Sequence, residues 1–261
     1  MAYTPTPGAL LWDQVGERIY ETGDRNVALY VYQAEEHTFE DPTSTEAQAT
    51  TADHATHFYK GVAWNGITAM TESPSGAEPT DLWADDTKYA TLRSAEQFGG
   101  TIEAYTYPDE WAQCDGSEKV NGVTIGQQKR KQFSLAYSTT IGNDTELNDF
   151  GEKIHLVYAA TASPSERSYA TINDSPEAIT FSWEYTTSPV DCSYDGTTYK
   201  KVACLTLSER DIVFVDENGK PSVSENAARR KKWNAFKNII FGSATIEPHL
   251  PMPSDVVAFF Q

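Results

Sequence analysis

The chain has 261 residues, of which 39% are hydrophobic and 12% aromatic, with 38 Asp plus Glu against 20 Lys plus Arg. This content excludes an intrinsically disordered chain and suffices for one β-rich domain of roughly 200 to 250 residues, or two smaller ones, with no disulfide framework. The formal charge of −18 argues against a DNA-gripping role, because affinity for DNA comes largely from Lys and Arg that neutralise phosphates.

The charge is unevenly spread. Residues 1–118 hold 21 acidic and 5 basic side chains, and residues 119–261 hold 17 and 15. The plain reading of that excess is solubility; it says nothing about fold. Met1 to Trp12 lacks a basic stretch followed by an apolar one, so no secretory signal is expected. The longest apolar run is Val256 to Phe260, far short of the roughly 20 residues of a spanning helix, so no membrane insertion is expected. Cys114, Cys192 and Cys204 form an odd set without a CxxC pair. They read as free thiols in a reducing cytoplasm, with a Cys192–Cys204 disulfide as the alternative.

In chain order, Asp13 to Thr22 is expected to form a short helix and Val27 to Tyr32 a strand. Gln33 to His57 is rich in Glu, Thr, Ala and Asp and poor in large apolar residues, so it reads as a long acidic loop that orders only against another chain. Phe58 to Trp64 and Ile67 to Thr71 flank Asn65-Gly66, the dipeptide best suited to a type I′ turn, which predicts a hairpin. Strands are expected at Thr87 to Leu92, Thr101 to Tyr107, Phe133 to Tyr137 and Ile154 to Tyr158. The clearest strand runs from Ala178 to Tyr185, where Ile179, Phe181, Trp183 and Tyr185 alternate with small or polar residues. Val202 to Leu207 and Ile212 to Val215 follow.

One helix is expected over residues 225–241. Ser222 and Glu225 have capping-box spacing, Trp233, Phe236 and Ile240 fall at i, i+3 and i+7, and Gly242 is placed to terminate it. The run Arg229 to Lys232 lies on this helix and reads as a solvated face rather than a nucleic-acid patch. About ten short strands with turn residues between them favour a mainly β fold, a sandwich or barrel with one flanking helix. The whole chain, 1–261, reads as a single domain with a C-terminal arm at 243–261.

Candidate chemistry is thin. Asp53, His54 and His57, with His37 and Glu35, suggest metal ligation, but nothing fixes their geometry in such a loop, and they read more simply as solvated residues. The adjacent acids Asp85 and Asp86, or Asp109 and Glu110, suggest the paired carboxylates of a glycosidase, and 14 Tyr with 6 Trp suggest sugar-stacking platforms. Adjacent acids arise by chance among 38, and aromatics alternating along strands read more simply as core. No GxSxG, P-loop, GxGxxG or HExxH motif is present. No catalytic, cofactor-binding or metal residue is therefore assigned, and no cofactor is expected. A carbohydrate-binding or glycosidase-like β-domain stays as the alternative function.

Longer stretches carry a family resemblance. GVAWNGITAMTESPSGAEPTDLWADDTKYATLRSAEQFGGTIEAYTYPDEWAQCDG at Gly61 to Gly116, GVTIGQQKRKQF at Gly122 to Phe133, and HLVYAATASPSERSYATINDSPEAITFSWEYTTSPV at His155 to Val190 resemble the major tail tube proteins of long-tailed, non-contractile bacteriophages. WDQVGERIYETG at Trp12 to Gly23 and LPMPSDVV at Leu250 to Val257 resemble the family's ends. Gln33 to His57, longer than usual, and Ser208 to Asn234 depart from the pattern. The resemblance implies a non-enzymatic structural protein of the virion tail, assembled in the host cytoplasm. It implies a β-sandwich flanked by a helix, in hexameric rings that stack into a tube. The implied partners are further copies of the chain, the tape measure protein inside, tail terminator and distal tail proteins at the ends, and genomic DNA that passes without specific binding.

Overall fold

A computed structural model describes residues 12, 14–32, 61–76, 79–92, 95–169, 171, 178–193, 199–212 and 226–260. Among these the chain is mainly β, with fourteen strands, three α-helices and a 3-10 turn at Glu209–Asp211. The large antiparallel sheet contains β1 (Tyr20–Val31), β2 (Val62–Ala63), β3 (Ile67–Glu72), β6 (Gly99–Ala104), β9 (Phe133–Asn143), β10 (Leu147–Ala162), β11 (Phe181–Thr187) and β14 (Cys204–Ser208). Their order is β2-β1-β9-β10-β11-β6-β3, with β14 paired to the N-terminal half of β10. Three two-stranded ribbons stand apart: β4 (Thr80–Ala84) with β5 (Thr87–Leu92), β7 (Glu118–Val120) with β8 (Val123–Ile125), and β12 (Val190–Ser193) with β13 (Tyr199–Val202).

The two edge strands, β2 and β3, are separated by only residues 64–66. The sheet therefore turns back on itself and encloses a core on one face. Val27, Leu29 and Val31 of β1 meet Ile102 of β6, Leu135 of β9 and Trp183 of β11 there. The centre is aromatic: Trp183 lies 5.6 Å from Trp64 and 5.4 Å from Trp111, ring to ring, in edge-on arrangements. Trp111 belongs to α1 (Trp111–Cys114), a single turn.

Period-two alternation sends Ala28 and Tyr30 to the opposite face. There α2 (Asn226–Phe241) and α3 (Pro253–Phe260) cover them. Trp233, Phe236 and Ile240 of α2 are buried at the predicted spacing, and Gly242 ends the helix at φ +82°. The Trp233 indole and the Lys237 ammonium both donate to Glu152 Oε2 of β10, at 3.1 and 2.7 Å. Tyr30 donates to the Ile240 carbonyl at 2.6 Å, and burial pushes its hydroxyl pKa up. Within residues 243–260, Leu250 and Val256 are buried against the sheet, and Tyr158 donates to the Pro251 carbonyl at 3.0 Å. The short helix α3 is not expected from sequence.

Two expectations are corrected. Asn65-Gly66 does not close a hairpin: β2 pairs with β1 and β3 pairs with β6, at opposite ends of the sheet order. A type I′ turn needs positive φ at both central residues, and only Gly66 has it, at +79°. Trp64 decides the outcome, since it is buried and donates from its indole to the Thr106 carbonyl at 2.8 Å, a tertiary contact that overrides the local turn preference. The helix expected at Asp13 to Thr22 is also absent over its described part. Gly16 sits at φ +90° and donates its N–H to Asp144 Oδ1, and from Tyr20 the chain is a strand paired with β9.

The strand at Thr87 to Leu92 has the predicted ends, whereas β9 and β10 run far beyond Phe133 to Tyr137 and Ile154 to Tyr158. Cys114, Cys192 and Cys204 are free thiols. The Gln33 to His57 loop, the Ser222 cap and Val213 to Val215 lie outside the described residues.

Candidate functional site

The first structure-derived candidate is a sheet extension. β1 pairs with β2 only at Ala28 and Leu29, so from Tyr20 to Val27 it has β9 on one side and no strand on the other among the described residues. Across β9, β10 pairs with β14 from Lys153 to Val157, and its Leu147 to Glu152 edge is likewise without a strand partner among the described residues. The result is a three-stranded projection with no strand beside it on either side among the described residues, although Trp64 N–H donates to the Val27 carbonyl and Arg210 lies over Phe150 at 3.9 Å. Its surface is apolar at Tyr20 and Leu147, and acidic at Glu21 and Asp149, with Asp144 and Glu146 in the turn between β9 and β10. Strand edges of this kind are templates for pairing with another chain.

At the root of that projection four strands bring a polar cluster together. His155 of β10 stacks on Tyr137 of β9, with ring centroids 4.8 Å apart and planes at 4°. Its Nε2 lies 3.1 Å from Thr139 Oγ1 and 3.3 Å from Glu21 Oε1 of β1, and its Nδ1 lies 3.5 Å from Glu72 Oε1 of β3. At 3.5 Å that last contact is not aligned for a hydrogen bond. Tyr137 donates to Glu72, and Lys153 donates to Glu21.

Both glutamates titrate below their ordinary value of 4.5. For Glu72 the largest cause is the adjacent His155 ring, which with the Tyr137 hydroxyl outweighs burial. For Glu21 burial pushes upward most strongly, and the Lys153 and Thr139 hydrogen bonds together overcome it. A carboxylate with a depressed folded-state pKa contributes stability above its unfolded pKa and loses it as pH falls through the folded one. The unfolding midpoint is therefore expected to drop as pH falls below 4.5, and Glu72→Gln is expected to flatten that acid limb and to cost about 1 kcal/mol at neutral pH, discounted for partial exposure. Urea titrations of both proteins between neutral and acid pH check this.

The carboxylates singled out in the sequence fall in two places. Asp85 and Asp86 form the exposed turn between β4 and β5. Asp109 is taken by Lys119, and Glu110 shares a cleft of about 580 Å³ with Glu118, Lys129 and Lys131. Asp53, His54, His57, His37 and Glu35 lie outside the described residues. Among the described residues no group of three metal-ligating side chains comes together, and no helix is long and apolar enough to cross a membrane.

No protein-family model and no curated protein matches this chain.

Neither the open edges nor the His155 cluster is signalled by the sequence. Polar residues alternating along a strand, such as Lys153, His155 and Thr139, mark only a solvated face. What brings them against Glu21 and Glu72 is the pairing of β1, β9, β10, β11, β6 and β3 in that order, which no local pattern encodes.

Proposed function

We propose that this protein is a structural component of a bacteriophage tail that polymerises as stacked hexameric rings into the tube through which the genome is delivered. Its fold is then a β-sandwich of the tail-tube type, and it works without catalysis or cofactor. The observation that carries the reading is the pair of strand edges without a strand partner among the described residues, on opposite sides of the three-stranded projection, at Tyr20 to Asn26 of β1 and Leu147 to Glu152 of β10. Because the two edges differ, contact between copies is head to tail, and a head-to-tail contact closes into a ring when its rotation permits. The resemblance over Gly61 to Gly116 and His155 to Val190 supports the same reading and supplies the sixfold number.

The charge has a role in this function. A conduit that held DNA through Lys or Arg would add friction at every phosphate, whereas an acidic wall leaves the duplex free to slide. Residues 1–118, with 21 acidic and 5 basic side chains, provide that excess. The tape measure protein fills the lumen before the genome does, and the terminator and distal tail proteins hold the ends.

Negative-stain electron microscopy of the purified protein at high concentration, with and without tail initiator components, tests the proposal. Rings or hollow tubes with sixfold end views are expected. Monodisperse particles under every condition would overturn it. A tube whose lumen carries net basic side chains would remove the acidic-wall argument alone.

A further inference from the structure

The β4–β5 ribbon continues the β3–β6 pairing outward through the Ser75–Gln97 bridge, and it has no third strand among the described residues. All five residues of β4 are exposed, and only Ala90 of β5 is not fully so. An isolated two-stranded ribbon is marginally stable in water. This one nevertheless displays Trp83 at 69% and Tyr89 at 76% exposure. Its turn is well defined: Asp85 and Asp86 stand at φ +50° and +59°, and Thr87 Oγ1 donates to the Ala84 carbonyl at 3.1 Å. Lys88 is occupied by Asp81 at 2.7 Å, so among the described residues no cation lies within ion-pair distance of Asp85 or Asp86. The ribbon thus ends in two uncompensated negative charges behind two exposed aromatic rings.

A surface with exposed lysines beside exposed apolar side chains lies elsewhere on the same chain. The β7–β8 ribbon exposes Val123 at 62% and also Val120 and Ile125. Beside it, residues 126–132 are fixed by backbone: Gln128 N–H donates to the Gly116 carbonyl at 2.9 Å and Lys131 N–H to the Gln113 carbonyl at 3.0 Å. That anchoring leaves the Lys129 and Lys131 side chains exposed at the rim of the cleft, with no carboxylate in ion-pair distance among the described residues. Asp109, Glu110 and Glu118 line the cleft as well, and Asp109 is neutralised by Lys119.

We infer that the acidic, aromatic tip of the β4–β5 ribbon docks on the Lys129/Lys131 rim and the adjoining β7–β8 ribbon of a neighbouring copy of this chain. The inference rests on the polymerising role proposed above and gives that role a second contact, separate from the strand edges. Asp85 and Asp86 meet Lys129 and Lys131, while Trp83 and Tyr89 cover Val123 and Ile125. Ribbon and rim are different surfaces, so the contact propagates from copy to copy instead of closing as a twofold dimer.

The test mixes Asp85→Cys protein with Lys129→Cys protein under mild oxidation and, in parallel, follows polymerisation of charge variants by light scattering and electron microscopy. A disulfide-linked dimer is expected in the mixture at roughly ten times the yield of either protein alone, and the wild-type thiols set the background. Asp85→Lys/Asp86→Lys and Lys129→Glu/Lys131→Glu are each expected to raise the critical concentration for assembly roughly tenfold. The chain carrying all four changes is expected to assemble at close to the wild-type concentration. All four sites are exposed, and circular dichroism confirms that each variant is folded.

Tubes that form without the mixed crosslink and ignore the charge changes would overturn the docking and leave the tail-tube reading in place. A mixed crosslink in a protein that never forms rings would support the docking and overturn the tube. Assembly lost in each pair of substitutions and not restored by all four would place a different occupant on the ribbon and overturn the pairing.

Discussion

Trp183→Ala is expected to lower the free energy of unfolding by about 3 to 5 kcal/mol, measured by urea denaturation. Trp183 is 1% exposed, and its ring touches Trp64, Trp111, Tyr107 and Phe181, all at centroid distances between 5.4 and 5.6 Å. Removing it empties the centre of the enclosed core, and the walls cannot follow. Trp64 is held by its indole bond to the Thr106 carbonyl, and Trp111 by a helical turn packed under β1. Single domains are stable by about 5 to 15 kcal/mol, so the loss takes a large share of the whole. Trp83→Ala is the matched control. That ring is mostly exposed on the β4–β5 ribbon, and its removal is expected to leave stability within about 0.5 kcal/mol while weakening assembly. If Trp183→Ala instead cost less than about 1 kcal/mol, the aromatic cluster would not be the centre of the fold.

The same residue shows how much of the fold is legible in the sequence. Ile179 to Tyr185 alternates so plainly that the pattern alone puts Trp183 and Tyr185 on one face of a strand, and both are buried on β11. Helix α2 is legible for a similar reason, because Trp233, Phe236 and Ile240 repeat at helical spacing and Gly242 marks the end. Both signals are local. Asn65-Gly66 carries an equally strong local signal and misleads, because the competing term, burial of Trp64 between β1 and α1, involves residues about 40 positions away on either side. The candidate site is harder still. The edges at Tyr20 to Asn26 and Leu147 to Glu152 are defined by which strands stand beside them among the described residues, and a strand's own residues do not record its neighbours. The full lengths of β9 and β10 are hidden for a related reason: much of the outer part of β10 is polar and half-exposed, and β9 ends in Thr-Thr-Ile-Gly-Asn with Ile141 as its one large apolar residue, so the apolar alternation that announces a strand fades there.

Gly100→Ala is expected to cost about 3 kcal/mol or more and to loosen β3 from β6. Gly100 pairs with Tyr185 of β11 on one side and Glu72 of β3 on the other. A Cβ there would run into the Thr71 carbonyl oxygen, which is backbone, and would stand 2.6 Å from the Tyr185 hydroxyl. Neither can yield cheaply, since Tyr185 is 2% exposed and packs against Phe133. Movement of Thr71 would instead pull Glu72 away from Tyr137 and His155, and would displace the root of the β4–β5 ribbon. Hydrogen exchange is therefore expected to quicken at Ala69 to Ser73 and at Gly99 to Ile102 before it changes in β9. Gly142→Ala supplies the contrast. The three atoms nearest its Cβ all belong to Tyr20, a half-exposed side chain at the far end of β1 that can swing toward solvent at the loss of its hydrogen bond to Asn148, so a smaller cost of about 1 kcal/mol is expected. Equal thermal midpoints for the two variants would mean that the backbone approach at Gly100 does not constrain the fold. A large drop for Gly100→Ala alone, with faster exchange confined to β3 and β6, would identify this crossing as the point that ties the docking ribbon to the polar cluster at the root of the projection.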